Sequence, residues 1–527
     1  MSKFTVMQDT PENVFALSNM NFEWNVRNQL FLLVGISFIV TIFLDRVLQQ
    51  RYDKDEPPEI RPGGPFPFVR HMFGLGRYLY DYYVKLSQQY PLPAYSISLF
   101  RGKIYVVNAP DVSSTVFRHT NDLSFYQMAV EVITRISESS PEARRIMLEN
   151  ATPEGFKRIH SALAPGPGLE RTISLATTKV ARVLEELAPG PGERAKPVML
   201  YDAVKHLVVQ STGEAVYGPL SPFRDPLVER AFWDWEKAFT SLMINVLPAL
   251  TARRGHKARR LMQAAFREYF LKKGHLEGSD LTRTRYEDAQ NLGVSLEDHA
   301  RFEATFTVGI FGTTSPSTFW MVFFIFSRPS LLEKLRAEMA AGALTSAAAD
   351  DGVLQHTLNL ASIRSSQLVT SIWHETLRRS GCGTSARMVE NDVLLPKHGL
   401  LLKKGNVVQM PSRVLHIDRK LWGEDAESFD HGRWEGSSKT APQGAFRPFG
   451  GGTTLCPGRH FAAVEVKALA VMMCLRFDMT PANTDGTWNE PGMYPTSVAA
   501  AIYSPVKDVA VKITRRKGYE EGVWKFS

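Results

Sequence analysis

Phe449-Gly450-Gly451-Gly452-Thr453-Thr454-Leu455-Cys456-Pro457-Gly458-Arg459 sets a single cysteine in a glycine-rich loop. A helix-like run from Pro457 to Met473 follows at once. Proline suits a helix's first turn, because its missing N–H would be unpaired there anyway. Cys456 then lies at a helix N-terminus, where free N–H groups and the helix dipole favour a thiolate. Gly450 and its neighbours let the backbone approach something large and flat with no Cβ in the way. A thiolate presented in this manner is a soft, electron-rich metal ligand. The plainer reading of a lone cysteine is a buried side chain beside a loop, so the rest of the chain has to decide.

Of the 527 residues, 44% are hydrophobic, enough for a sizeable core. The chain carries 62 basic and 54 acidic residues, a net charge of +8, and no long Lys/Arg run, so nucleic acid is not an expected partner. A basic face for an acidic protein or an anionic membrane fits better. Cys382, Cys456 and Cys474 are the whole cysteine complement. That set excludes a disulfide framework and a thiolate zinc cluster, and it suits a reducing compartment.

Leu30 to Leu44 is apolar save Ser37 and Thr41. We read a tail over residues 1–29 and an uncleaved membrane anchor over 30–48. The run is shorter than the usual span of about 20 residues, and a signal peptide is the alternative. Lys3 and Arg27 precede it, while Arg46, Arg51, Lys54 and Arg61 follow, which puts the bulk of the chain in the cytoplasm. Residues 49–68 form a charged, proline-rich hinge, stiff because proline fixes φ and removes donors, and residues 69–527 form the catalytic domain. Tyr95–Leu99 and Lys103–Val107 read as strands around a turn at Arg101-Gly102. From about Val112 to Phe326 the pattern is mostly helical, broken at 164–168 and 188–192 by two Ala-Pro-Gly-Pro-Gly loops. The fold class is therefore mostly α with a small β region, behind an N-terminal transmembrane helix.

Ser295, with Asp298 three residues on, predicts a helix start. Ala304 to Ser327 carries no charge, yet its Thr, Ser and Gly content makes it too polar for a comfortable span, so it reads as a long buried helix deformed at Pro316. Glu-x-x-Arg occurs at Glu142/Arg145, Glu333/Arg336 and Glu375/Arg378. Only the last is followed by strand-like segments, at 386–389, 393–395, 399–402 and 406–410.

Phe449 lies seven residues before Cys456, Gly452 four before and Gly458 two after. With these spacings the loop resembles the cysteine-ligand loop of the cytochromes P450, the haem-thiolate monooxygenases. The resemblance implies haem b with Cys456 as its axial iron ligand, Phe449 packed beside the sulfur, and Gly450 in the cofactor loop. It departs at Thr454, where the family usually has an Arg or His for a haem propionate. Sterol hydroxylases and prostacyclin synthase share that departure. Propionate contacts would then fall to Arg387 and to His160, which with Phe156 stands where the family has Trp-x-x-x-Arg. For Arg387, a surface strand arginine is the competing reading. Gly309-Ile310-Phe311-Gly312-Thr313-Thr314 resembles the oxygen-binding groove, with Thr313 and Thr314 supplying hydroxyls and Gly312 replacing the acid. Glu375, Arg378 and Arg433 would form a buried charge network that holds the cysteine loop. Leu220–Leu250 would form an aromatic lid, and Tyr494–Ala499 a hairpin tip facing the substrate.

The implied activity is oxidation of a lipophilic small molecule, a terpenoid, steroid or polyketide of secondary metabolism. Electrons would come from NADPH through cytochrome P450 reductase, at the endoplasmic reticulum membrane, as in fungal microsomal members. A haem-thiolate isomerase or dehydratase of the prostacyclin synthase type, needing no reductase, is one alternative. A non-catalytic haem- or lipid-binding membrane protein is another.

Overall fold

The charge-free run lies inside one helix of 31 residues, Leu296–Phe326, around which the other helices are laid. Ser295 caps it by accepting from the Asp298 backbone N–H, as the sequence predicts. The computed structural model describes residues 52–61, 67–99, 102–187, 189–190, 195–245, 247–350, 352–435, 441–495 and 499–527, with eight further positions between 31 and 43. In chain order, β1 is Ala94–Leu99, β2 Gly102–Val107, α1 Pro110–Arg118 and β3 Leu123–Ser124. Next come α2 Pro153–Ala162, α3 Pro167–Leu187, β4 Lys196–Met199, α4 Leu200–Tyr217, α5 Pro226–Ile244 and α6 Arg253–Leu271. The central helix is α7, and it is followed by α8 Gln367–Ser380, β5 Thr384–Val389 and β6 Val407–Pro411. The chain closes with α9 Arg459–Arg476, β7 Phe477–Pro481 and β8 Ala510–Arg515.

The larger sheet runs β1-β2-β6-β5-β3, with β6 parallel to β2 and the other pairs antiparallel. A smaller sheet runs β7-β8-β4, so β8 joins the strand that follows α9 to the one that precedes α4. The main core joins side chains of α3 to α9. Val322, Phe323, Phe324 and Ile325 of α7 meet Leu469, Val471 and Met472 of α9 within it. Of the lid aromatics, Phe223, Phe232, Trp235 and Phe239 belong to this core, while Ile244, Leu247 and Leu250 beyond them are exposed.

Part of the hinge is clamped to the sheet. The Ser96 N–H donates to Pro58 O, and Ser96 O accepts the Ile60 N–H, both at 2.9 Å. Behind them Lys103 Nζ pairs with Glu56 at 2.9 Å, both buried, and the Tyr105 hydroxyl donates to the same carboxylate at 2.6 Å. The eight described positions between 31 and 43 are helical and exposed, Phe31, Ile39 and Phe43 among them. The rest of the expected anchor, the tail and hinge residues 49–51 and 62–66 lie outside the described residues, as do 496–498 of the hairpin tip.

Candidate active site

The cysteine loop is built by backbone geometry that glycine alone adopts freely. Gly450 has φ +81° and Gly452 φ +65°, and a Cβ on Gly451 would lie 2.6 Å from the Phe117 ring of α1. Phe449 O accepts the Cys456 N–H at 3.0 Å, which closes the loop on itself. Helix α9 begins at Arg459 with Gly458 as its cap, two residues later than the sequence suggests, so Pro457 lies in the preceding turn. Cys456 is an exposed residue whose thiol is nonetheless crowded by protein, and burial pushes its pKa up. The Gly458 and Arg459 N–H groups and the Arg459 charge pull it back down. The helix terminus thus acts in the direction the sequence suggests, against a larger effect of burial that the sequence does not reveal. Cys382 and Cys474 are buried and inert, their thiols raised by desolvation, Cys474 to about 12.

Helix α7 offers one open face in an otherwise buried run. Between Ala304 and Phe326 only Phe306, Gly309, Ile310, Gly312 and Thr313 are not buried. The first, second, third and fifth of these recur at helical spacing, so they form a stripe. A Cβ on Gly309 would meet nothing within 4 Å, and on Gly312 only Val308 at 3.5 Å. The Thr313 hydroxyl is 3.5 Å from Gly309 O and so loosely held, whereas the Thr314 hydroxyl is buried and fixed to Ile310 O at 2.8 Å.

Arg387, on β5, is 3% exposed and therefore no surface strand arginine. It donates to Ala386 O at 2.7 Å and to the Thr454 hydroxyl, and its guanidinium stands 5.3 Å from the Phe117 ring and 5.2 Å from Phe125. It makes no ion pair among the described residues, and burial pushes its pKa down to about 10. A buried cation without a carboxylate is costly, and a bound anion would relieve it. His160 lies on α2, partly buried, its pKa lowered by burial and then by the Arg459 charge. Phe156 packs instead on Tyr126, with ring centroids 5.0 Å apart. Arg158 is exposed and paired with Glu287 and Asp288, the solvated face the sequence suggests.

The charge network forms at Glu375 and Arg378, both fully buried. Arg378 holds the carboxylate through two bonds of 2.8 Å and also donates to His416 O, Ala426 O and Ser428 O. Asp430 N–H and Trp434 Nε1 complete the carboxylate, and the Arg433 guanidinium stands 3.4 Å from it while bonding Trp422 O and Asp425. The other two Glu-x-x-Arg motifs separate cleanly: Arg145 pairs with Glu142 on the surface, and Arg336 turns to Asp478. His416 carries the network to the cysteine loop. Its Nε2 accepts the Arg447 N–H at 3.1 Å, two residues before Phe449. Burial, with Arg413, Arg378 and Arg447 nearby, holds His416 neutral with a pKa of about 3. Arg447 is a second buried arginine with no ion pair among the described residues. Sequence reasoning assigns no role to His416 or Arg447, since neither stands at a telling spacing.

Residues 60–499 match the cytochrome P450 family model. The chain belongs to the cytochrome P450 family. It is 31% identical over 508 residues to the cytochrome P450 monooxygenase nodJ of Hypoxylon pulicicidum, covering 94% of this chain and 96% of that one. A cytochrome P450 monooxygenase of Gibberella zeae is 26% identical over 512 residues, covering 94% and 95%. In fold the chain is similar to a cyanobacterial P450, CYP120A1, solved with retinoic acid, at a TM-score of 0.66 and 18% identity over 88% of this chain and 99% of that one. This P450 is accordingly a haem-dependent oxidoreductase of the monooxygenase kind.

The residues of this P450 fit a haem. A cysteine sulfur with two backbone N–H groups near it, a buried arginine without an ion pair beside the loop, and a helix face opened by Gly309 and Gly312 are what a flat dianionic macrocycle needs. Thr454 cannot reach an anion as a cation would, but it touches Arg387 and so ties that arginine to the cysteine loop.

Proposed function

We propose that this P450 is a membrane-anchored monooxygenase that hydroxylates a lipophilic small molecule, and that Cys456 is the residue that would hold the iron of haem b. The carrying observation is Cys456, an exposed residue on a glycine-shaped loop whose sulfur is met by the Gly458 and Arg459 N–H groups. When bound, the haem supplies dioxygen activation, aided by the electron push a cysteine thiolate gives P450s generally. The chain does the rest. The N–H groups at the start of α9 temper the sulfur's charge, and Phe449 shields it. Arg387 and His160 would hold the propionates. Thr313, loosely held on the open stripe, moves a proton at its hydroxyl oxygen, and Thr314 braces the turn beside it. Glu375, Arg378 and Arg433 do not react; they hold the loop through His416.

An electron pair from NADPH, delivered by cytochrome P450 reductase, and protons from solvent balance insertion of one oxygen atom into a C–H bond and loss of the other as water. The exposed apolar helical positions between 31 and 43 support an anchor at the endoplasmic reticulum, with the catalytic domain in the cytoplasm. Exposed Ile244, Leu247 and Leu250 support entry of a substrate dissolved in lipid. We place the substrate among the terpenoids, steroids or polyketides of secondary metabolism, as the sequence resemblance implies. Metabolites that accumulate in the absence of this chain, supplied with labelled dioxygen, NADPH and reductase, test the reading: label in the product is expected. Gly312 in place of the acid favours one second reading, an isomerase, which would give product without label or NADPH.

A further inference from the structure

One face of α6 carries Arg260, Gln263, Ala264 and Arg267, at the spacing that brings side chains together on a helix. With Glu297 and Arg301 from the first two turns of α7, and Glu138 at the end of the helix Phe125–Ser137, this face lines a cleft of about 330 Å³. That volume lies at the lower end of small-molecule sites, about 300–1,000 Å³. Glu138 closes its helix in the left-handed conformation, φ +54°, and its carbonyl accepts Arg301 Nη1 at 2.7 Å. Its carboxylate accepts Arg259 Nη2 at 2.6 Å. Glu297 stands 3.3 Å from Arg267 and 3.5 Å from Arg301. Four guanidiniums thus meet two carboxylates, and a third acid, Asp298, 3.9 Å from Arg301, is engaged by Ser140 and Ser295. Arg259, behind the cleft, is 1% exposed. Burial lowers its pKa, Glu138 restores part of the loss, and the charges of Arg260 and Arg301 lower it again. Arg260 is exposed and has no ion pair among the described residues, and the Nε atoms of Arg259 and Arg301 are buried without a hydrogen-bond partner. Like charges are crowded here, and an anion in the cleft relieves them.

We propose that this cleft binds the phosphate group of a phosphate monoester. A planar guanidinium offers paired N–H donors that match phosphate oxygens. Arg260 and Arg267 supply them from α6 and Arg301 from α7, while Arg259 adds charge from behind. The two negative charges of the ester answer the two guanidiniums in excess of Glu138 and Glu297. A soluble metabolite and the headgroup of phosphatidic acid both present that group. The cleft joins α6, the start of α7 and the end of Phe125–Ser137, so its occupant braces all three. No step of the oxidation passes through it, and the inference stands apart from the monooxygenase reading.

The test titrates the haem-loaded full chain in detergent with glycerol 3-phosphate, by calorimetry at constant ionic strength, with glycerol as the uncharged control. One glycerol 3-phosphate per chain should bind, and glycerol should not. Arg260→Gln and Arg267→Gln should each weaken binding about tenfold, the loss of one charge-assisted contact. Arg254→Gln removes the same charge from an exposed side chain of α6 that pairs with Asp234 outside the cleft, and it should leave the affinity unchanged. The carbon monoxide spectrum of all three reduced variants should match the parent. Phosphatidylcholine nanodiscs with and without phosphatidic acid separate the two sources. Suppression of glycerol 3-phosphate binding by phosphatidic acid assigns a lipid headgroup, and equal binding in both discs assigns a soluble ester. A parent that binds no glycerol 3-phosphate, or an Arg254→Gln variant as weakened as Arg260→Gln with spectra intact, would overturn the proposal.

Discussion

Arg378→Lys isolates what the buried network does. The arginine, a side chain with no solvent access, makes five hydrogen bonds, two to Glu375 and three to the carbonyls of His416, Ala426 and Ser428. A lysine keeps the charge but replaces the planar fork with a compact ammonium that cannot span carboxylate and carbonyls together. Two or three carbonyls are left without donors, at about 1–3 kcal/mol each, and relaxation brings the sum to about 3–5 kcal/mol, the scale of a broken buried ion pair. The loss falls where it matters, because His416 O is one of the orphans and His416 Nε2 holds Arg447 at the head of the cysteine loop. The assay is haem content after purification, read as the Soret-to-protein absorbance ratio, with the temperature of haem release. Lower content and an earlier release are expected, with the helical content of what survives intact. A lysine variant that keeps parental haem and releases it at the parental temperature would refute the link between network and loop.

Arg387→Ala should lower haem content more than Arg387→Lys, since only the latter keeps a cation against the propionates; equal retention by both, measured by the same ratio, counts against the assignment. His416 binds its proton near its ordinary pH 6.5 when unfolded and only at about 3 when folded. Between these values the unfolded state carries more protons, so stability is full above about pH 6.5 and falls as pH drops toward 3. An acid titration of the Soret band should show that limb, and His416→Gln should flatten it. Lys103→Met leaves Glu56 buried without its ion pair, a loss of about 3–5 kcal/mol, and limited proteolysis should then cut within residues 52–61. Gly451→Ala drives a Cβ to 2.6 Å from the Phe117 ring, an overpacking cost of about 1–3 kcal/mol that a melting curve would show.

The sequence is most legible where local chemistry is unusual. A glycine-rich loop ahead of a lone cysteine, a charge-free run too polar for a membrane, and Glu-x-x-Arg ahead of short strands all land where they are expected. The start of α9 slips by two residues because Gly458 takes the cap, a choice between adjacent turns that composition does not decide. The hinge reads as a stiff linker without an element of its own because prolines break local structure. Its hold on β1 depends on Glu56 finding Lys103, 47 residues on, and no local pattern marks that. His416 and Arg447 escape for the same reason, since their importance lies in which distant or buried groups they leave paired or unpaired. For Arg387 the sequence leaves surface and site evenly balanced, and only burial separates the two.

The central claim is the bond between Cys456 and haem iron. Reduce the purified protein, add carbon monoxide and record the Soret band of the parent and of Cys456→Ala. The account predicts the strongly red-shifted thiolate band in the parent and its loss in the variant. Folded, haem-containing parent that never shows the band, or an alanine variant that keeps it, would contradict the account.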